Sequence, residues 1–148
     1  MSVDDKLAPL DAAGFASLVP VSRETLARLT TYLELLERWQ RAINLVGRST
    51  MADPWRRHLL DSAQLARYLP PGPVRLADLG SGAGLPGLVL AIMGAEPVHL
   101  VEADRRKAQF LSEVVRTLGL AAVTVHAQRI ETVMLEVDVV TSRALAPL

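Results

Sequence analysis

The chain contains no cysteine, which removes disulfides, thiolate metal ligands and any cysteine nucleophile. It is nearly free of lysine: Lys6 and Lys107 are the only two, and every other fixed side-chain cation is an arginine. No apolar run approaches the roughly 20 residues needed to span a bilayer; the most apolar stretch, 85–95, is interrupted by Pro86, Gly87 and Gly94. The leading MSVDDKLAPL is acidic and lacks the basic-then-apolar pattern of a secretory signal. Internal repeats and low-complexity tracts are missing as well. These absences predict a cytoplasmic protein without a membrane partner. What is present is a chain of 148 residues, half of them hydrophobic and with zero formal net charge, enough for one domain and a small appendage.

Neutrality overall argues against a protein that coats nucleic acid, but the charge is unevenly spread. Residues 38–67 hold Arg38, Arg41, Arg48, Arg56, Arg57 and Arg67 against only Asp53 and Asp61, a local net charge of +4. Guanidinium matches phosphate in bidentate geometry, which suits RNA; a solvated helical face explains the same excess.

The first part reads as helical. Ser22 is placed to cap a helix carrying Leu26, Leu29, Leu33, Leu36 and Ile43 at helical spacing, with Tyr32 and Trp39 widening the stripe and Gly47 placed to end it. Asp53-Pro54 predicts a capped restart running to about Tyr68. Pro70, Pro71, Gly72 and Pro73 form a stiff linker, dividing a helical extension (1–70) from a second unit (71–148). Beyond it, strands are predicted over 74–79, 98–102, 123–126 and 137–141. Helices are predicted over 85–93 and from a cap at Asp104 to a stop at Gly119, with Ala108, Leu111, Val115 and Leu118 on one face. Strands alternating with helices imply an α/β fold with a parallel sheet. Trp39 and Trp55 read as packing residues, and Arg105, Arg106 and Lys107 as a solvated helix start.

Between the first predicted strand and its helix lies DLGSGAGLPG, residues 78–87. Turns of this kind sit at the carboxyl edge of a parallel sheet, where α/β folds bind ligands, and glycine lets a ligand approach without a Cβ in the way. Glu102 ends the next strand, the usual place for a carboxylate that grips ribose hydroxyls. Residues 82–87 also satisfy G-x-G-x-x-G, so an NAD-dependent oxidoreductase is an alternative. Asp78 argues against it: a carboxylate just ahead of the turn repels pyrophosphate and suits the ammonium and sulfonium of S-adenosylmethionine, directly or through water.

Other elements make the likeness specific. Trp39 with Asn44-Leu45, RHLLDS at 57–62, DLGSGAGLPG at 78–87, Glu102 with Lys107 and Phe110-Leu111, Arg129 with Glu131, and SRA at 142–144 follow one another in an order that resembles the ribosomal small-subunit methyltransferase G family, also called glucose-inhibited division protein B. The resemblance implies a Rossmann-like, class I S-adenosylmethionine-dependent methyltransferase with a small helical amino-terminal extension. The implied activity is methylation of N7 of one guanine in 16S ribosomal RNA, with that RNA or the small ribosomal subunit as partner and no DNA. By the same resemblance Asp78, Gly80, Ser81, Gly82, Gly84, Leu85 and Glu102 hold the cofactor, and the turn Arg129, Ile130 and Glu131 flanks its adenine. His58, Asp61 and Arg143 line the place where cofactor and guanine meet, Arg143 serving both. No metal is expected, since His58 and Asp61, three apart and so able to share a helix face, lack further ligands.

The chemistry agrees with the resemblance. Guanine N7 carries a free lone pair and needs no general base, so alignment and exclusion of water are the main tasks. Pyrimidine C5 methylation typically needs a cysteine adduct. Exocyclic amine methylation typically uses an Asn/Asp-Pro-Pro-aromatic turn where this chain has Ser142-Arg143-Ala144-Leu145. Arg143 suits guanine O6 or a phosphate. Family members continue past SRA, so a truncated sheet of about four strands is expected, with 137–141 as an exposed apolar edge and the chain prone to aggregate. A non-catalytic cofactor-binding fragment and a small-molecule methyltransferase remain alternatives.

Overall fold

The computed structural model describes residues 8–143. MSVDDKL and residues 144–148, which include Ala144 of the SRA motif, lie outside them.

Helical segments precede the sheet. Asp11 caps α1 (Ala12–Leu18) by accepting from the Gly14 N–H. Ser22 caps α2 (Arg23–Gln40), its Oγ accepting from the Thr25 N–H at 3.1 Å. On α2 the buried face is Leu29, Tyr32, Leu33, Leu35 and Leu36, each fully buried leucine contributing about 1.5–3 kcal/mol. The helix stops at Gln40, well before Gly47. The Gln40 carboxamide explains the early end: its Oε1 accepts from the Leu45 and Val46 N–H groups, and its Nε2 donates to the Val46 carbonyl. A side chain that captures three backbone groups ahead of it holds 41–46 as a turn.

Asp53 also differs from the predicted cap. Its Oδ1 accepts from the Leu10 N–H at 2.8 Å and its Oδ2 from Arg56 Nε at 2.9 Å, so it ties the start of the chain to the second helical run. That run ends at Tyr68 as the sequence predicts, but its winding changes along the way. A π-helical stretch (Trp55–Leu60) is followed by α3 (Asp61–Ala63) and a 3-10 stretch (Gln64–Tyr68).

The sheet comprises β1 (Leu76–Leu79), β2 (Val98–Val101), β3 (Val123–His126) and β4 (Val139–Ser142), all parallel, in the order β3-β2-β1-β4. The helix α4 (Gly87–Ile92) links β1 to β2, and α5 (Arg105–Leu118) links β2 to β3. Asp104 caps α5 through the Arg106 and Lys107 N–H groups, and Gly119 closes it at φ 63°. Both crossover helices pack against α2, which puts them on one face of the sheet. Residues on either side of the linker 70–73 therefore share a single core, from Phe15, Tyr32 and Leu36 through Leu76 and Leu100 to Phe110. The tryptophans pack as predicted: Trp55 lies 5.3 Å from Phe15 and Trp39 5.7 Å from Phe110, between ring centroids.

β4 is fastened to β1 by Asp138, which accepts from the Arg75 N–H at 2.9 Å and from its guanidinium at 3.0 and 3.2 Å. It is an edge strand of the described sheet, and Val140 on it is 57% exposed. Because β2 and β3 run one way from β1 and β4 lies the other way, the order reverses between β1 and β4. That reversal opens a crevice at the carboxyl ends of these two strands.

Candidate functional site

The glycine turn stands at this crevice. Val101, ending β2, accepts from the Gly80 and Ser81 N–H groups at 2.9 and 3.0 Å. Ser81, itself buried, donates from Oγ to the Asp78 carbonyl at 2.9 Å. Gly82 and Gly84 have φ of 55° and 89°, the left-handed region that side chains rarely adopt. A Cβ built on Gly82 would meet nothing nearer than the Gly80 carbonyl at 3.9 Å, so this part of the turn faces open space. Glu102 locks it from the neighbouring strand: Oε1 accepts from the Gly82 N–H at 2.7 Å and Oε2 from the Asp104 N–H at 2.9 Å. Each oxygen keeps a lone pair for a ligand hydroxyl.

Asp78 lies behind the turn rather than on its open side, and is 1% exposed. Its Oδ1 accepts from Thr141 Oγ1 on β4 at 2.9 Å, while its buried Oδ2 has no hydrogen-bond partner. Burial raises its pKa to about 6, overriding the Thr141 hydroxyl, whose hydrogen bond favours the charged form. Direct contact with a ligand on the open side is closed to it in this arrangement. Its geometry suits action through the turn or a small bridging donor. The space around it is tight: a Cβ on Gly87 would come within 2.6 Å of Asp78 Oδ2 and of Leu100 Cδ2. Gly87→Ala is accordingly expected to destabilise the protein by about 1–3 kcal/mol, read as a lowered unfolding midpoint in denaturant titration.

A cleft of about 300 Å³ opens beside the turn, lined by Ser81, Ala83 and Leu85 on one side and by Thr50, His58 and Arg143 on the other, with Leu45–Gly47 as a wall. His58 is 3% exposed, its Nε2 2.7 Å from Thr50 Oγ1. The Thr50 hydroxyl proton is committed to the Gly47 carbonyl at 2.6 Å. Thr50 therefore accepts, His58 donates from Nε2, and Nδ1 is left as a buried lone pair without a partner. Burial, assisted by the Arg143 and Arg57 guanidiniums and opposed by Asp61, lowers the His58 pKa to about 4. The ring is neutral at physiological pH.

His58 and Asp61, expected to share a helix face, differ in burial but both stand close to Arg143. His58 lies in the π-helical stretch, whereas Asp61 opens α3. His58 points inward, whereas the Asp61 side chain is 64% exposed and meets Arg143 at 3.8 Å. Arg143, at the carboxyl end of β4, also donates to the Arg57 carbonyl at 3.4 Å. The fold thus brings Ser81, Leu85, His58 and Arg143 to one cleft, with Asp61 on its rim. Arg129, Ile130 and Glu131 lie apart from that cleft, on a 3-10 turn (Ile130–Thr132) after β3, where Arg129 and Glu131 pair at 3.0 Å in solvent. Among the described residues no group of three His, Asp or Glu side chains could hold a metal, and no helix is long and apolar enough to cross a membrane.

Sequence reasoning missed three contributors. Thr50 orients His58, Thr141 bonds Asp78, and Tyr32 donates from its buried hydroxyl to the Ala83 carbonyl at 2.6 Å. Only Tyr32 carried a signal, since a tyrosine in a leucine stripe needs a partner for its hydroxyl.

Comparison with known proteins bears on this arrangement. Residues 25–148 match the family described as rRNA small subunit methyltransferase G. Proteins named ribosomal RNA small subunit methyltransferase G from Rhodospirillum rubrum and Paramagnetospirillum magneticum are 59% and 60% identical, over 90% and 86% of this chain. The chain spans 67% and 62% of their lengths, and 63% of the Rhodospirillum centenum protein of the same name, which is 57% identical over 93% of the chain. A crystal structure of a mutant of MtNAS in complex with S-adenosylmethionine superposes with a TM-score of 0.52 at 20% identity, covering 94% of this chain and 60% of that one. It supports the fold.

Proposed function

The chain belongs to the rRNA small subunit methyltransferase G family, and from that membership and the site we propose that it binds S-adenosylmethionine at the turn 80–84 and directs methyl transfer to N7 of a guanine in small-subunit ribosomal RNA. The observation that carries this reading is the convergence of the glycine turn, neutral His58 and Arg143 on one cleft. The chain's residues fit the cofactor: Gly82 offers open space and Glu102 keeps lone pairs for ribose hydroxyls, and by family membership the exposed turn Arg129–Glu131 after β3 is assigned to the adenine. Bound there, the cofactor supplies an electrophilic methyl group on sulfonium.

The protein's part is positioning. N7 is already a nucleophile, so no side chain has to remove a proton, and His58, held neutral, does not add a cation where positive charge must be accommodated. Arg143 offers a planar donor pair for guanine O6 or a phosphate. The arginines between 38 and 67 are suited to flanking phosphates, and RNA affinity should therefore fall as salt rises while cofactor affinity changes little. The protein is taken to act in the cytoplasm, where the small subunit is its partner.

Calorimetry tests the cofactor assignment. S-adenosylmethionine or its demethylated product should bind, NAD should give no comparable heat, and Gly82→Leu should abolish binding by filling the open space while leaving the circular dichroism spectrum largely unchanged. Preference for NAD would overturn the assignment.

A further inference from the structure

We propose that Tyr32, which belongs to the helical extension, is a positioning residue for the cofactor turn: its hydroxyl holds the Ala83 carbonyl and so keeps 80–84 in the binding conformation before any ligand arrives. The inference rests on the reading of that turn as the cofactor site.

Tyr32 is fully buried on α2, its ring tilted against Phe110 at 6.4 Å between centroids. The other buried residues of its helix are all leucine, and packing alone would be served by phenylalanine. The hydroxyl is what differs, and it reaches neither a helix end nor a strand but the middle of the glycine turn, 51 residues away in sequence. The surrounding backbone bonds run from the Gly84 N–H to the Ser81 carbonyl and from the Leu88 N–H to the Gly84 carbonyl, which leaves the Ala83 carbonyl to Tyr32. Ala83 is 4% exposed, so water does not replace a lost donor there, and an unpaired buried carbonyl is costly.

The peptide held in this way lies between two residues with positive φ, Gly82 and Gly84. Glycines supply freedom, and freedom has to be removed for a ligand to find one conformation. Glu102 restrains the turn from the sheet side at Gly82, and Tyr32 restrains it from the helical side at Ala83. Burial drives the phenol pKa far up, so it remains a donor throughout the working range of pH. Apparent affinity falls in proportion to the fraction of molecules in the competent conformation. A turn missing one restraint binds the same ligand in the same place, more weakly.

Tyr32→Phe tests the proposal, with Phe110→Leu as a variant that loosens the same core without touching the hydrogen bond. Titration with S-adenosylmethionine should show a dissociation constant raised on the order of fivefold for Tyr32→Phe and an unchanged one for Phe110→Leu. Methyl transfer at saturating cofactor should be close to normal in both. Replacing Tyr32 by 3-fluorotyrosine, which retains the donor, should retain full affinity. Unchanged affinity in Tyr32→Phe, or equal losses in Tyr32→Phe and Phe110→Leu, overturns the positioning role. Failure of the unaltered protein to bind is read in the parallel wild-type titration and overturns the cofactor reading along with it.

Discussion

Asp78→Asn is expected to make the unliganded protein more stable at pH 7, by up to about 3 kcal/mol, while weakening cofactor binding through the turn that Asp78 underlies. The carboxylate is buried with one oxygen unpartnered, and burial raises its pKa to about 6 from 3.8. An acid whose pKa is raised on folding favours the folded state only while protonated. Its cost is absent below about pH 4, grows between pH 4 and 6, and is complete above that. His58 acts in the opposite sense over nearly the same interval. Its pKa falls to about 4 from 6.5, so the folded state is favoured above pH 6.5 and loses that advantage as pH drops toward 4. The two contributions largely cancel in the unaltered protein between pH 4 and 6. Removing the charge at 78 exposes the His58 contribution, and the variant should lose stability on acidification where the parent stays nearly level. Denaturant titrations at several pH values measure both slopes. A variant less stable than the parent at pH 7 would mean that the carboxylate is already well satisfied and that its retention needs no functional reason.

Arg143→Ala should reduce methyl transfer to RNA by about a hundredfold or more and change cofactor affinity less than about threefold. The guanidinium stands at the mouth of the cleft with only loose attachments: Asp61 at 3.8 Å, on an exposed side chain, and the Arg57 carbonyl at 3.4 Å. Exposed ion pairs at that separation contribute little to stability, so the variant should fold normally and the arginine is free to turn toward a substrate. Arg143→Lys keeps the charge but loses the planar fork and should recover only part of the rate. Comparable losses of transfer and cofactor affinity would place Arg143 at the cofactor and remove its proposed contact with guanine.

Local signals in the sequence carried much of the fold. Ser22, Asp104 and Gly119 each end a helix where expected, because a cap depends on a few neighbouring residues. The strands came out within two residues of their predicted starts, the sheet of the described residues has four strands where about four were expected, and the glycine turn stands after β1 as its spacing implied. What was not legible depended on distant partners. Gln40 ends α2 early because it meets Val46, and Asp53 caps no helix because Leu10 and Arg56 take both its oxygens. The chain winds as a π-helix over Trp55–Leu60, a departure with no mark in RHLLDS, and it buries His58 while Asp61 stays exposed. The burial of Asp78 follows from sheet register, which pairs it with Leu100 on one side and Thr141 on the other, and register is set by the whole sheet. Thr50 and Tyr32 belong to the site only through loops closed over long stretches of chain.

The measurement that tests the central claim most directly is incorporation of labelled methyl from S-adenosylmethionine into small-subunit ribosomal RNA or particles lacking the mark, with the modified base located by chemical cleavage at 7-methylguanosine. The protein extended to the length of its relatives should label a single guanine at N7, and Arg143→Ala should label it far more slowly while still binding cofactor. Labelling at another atom, in another RNA, or only on small molecules would contradict the account.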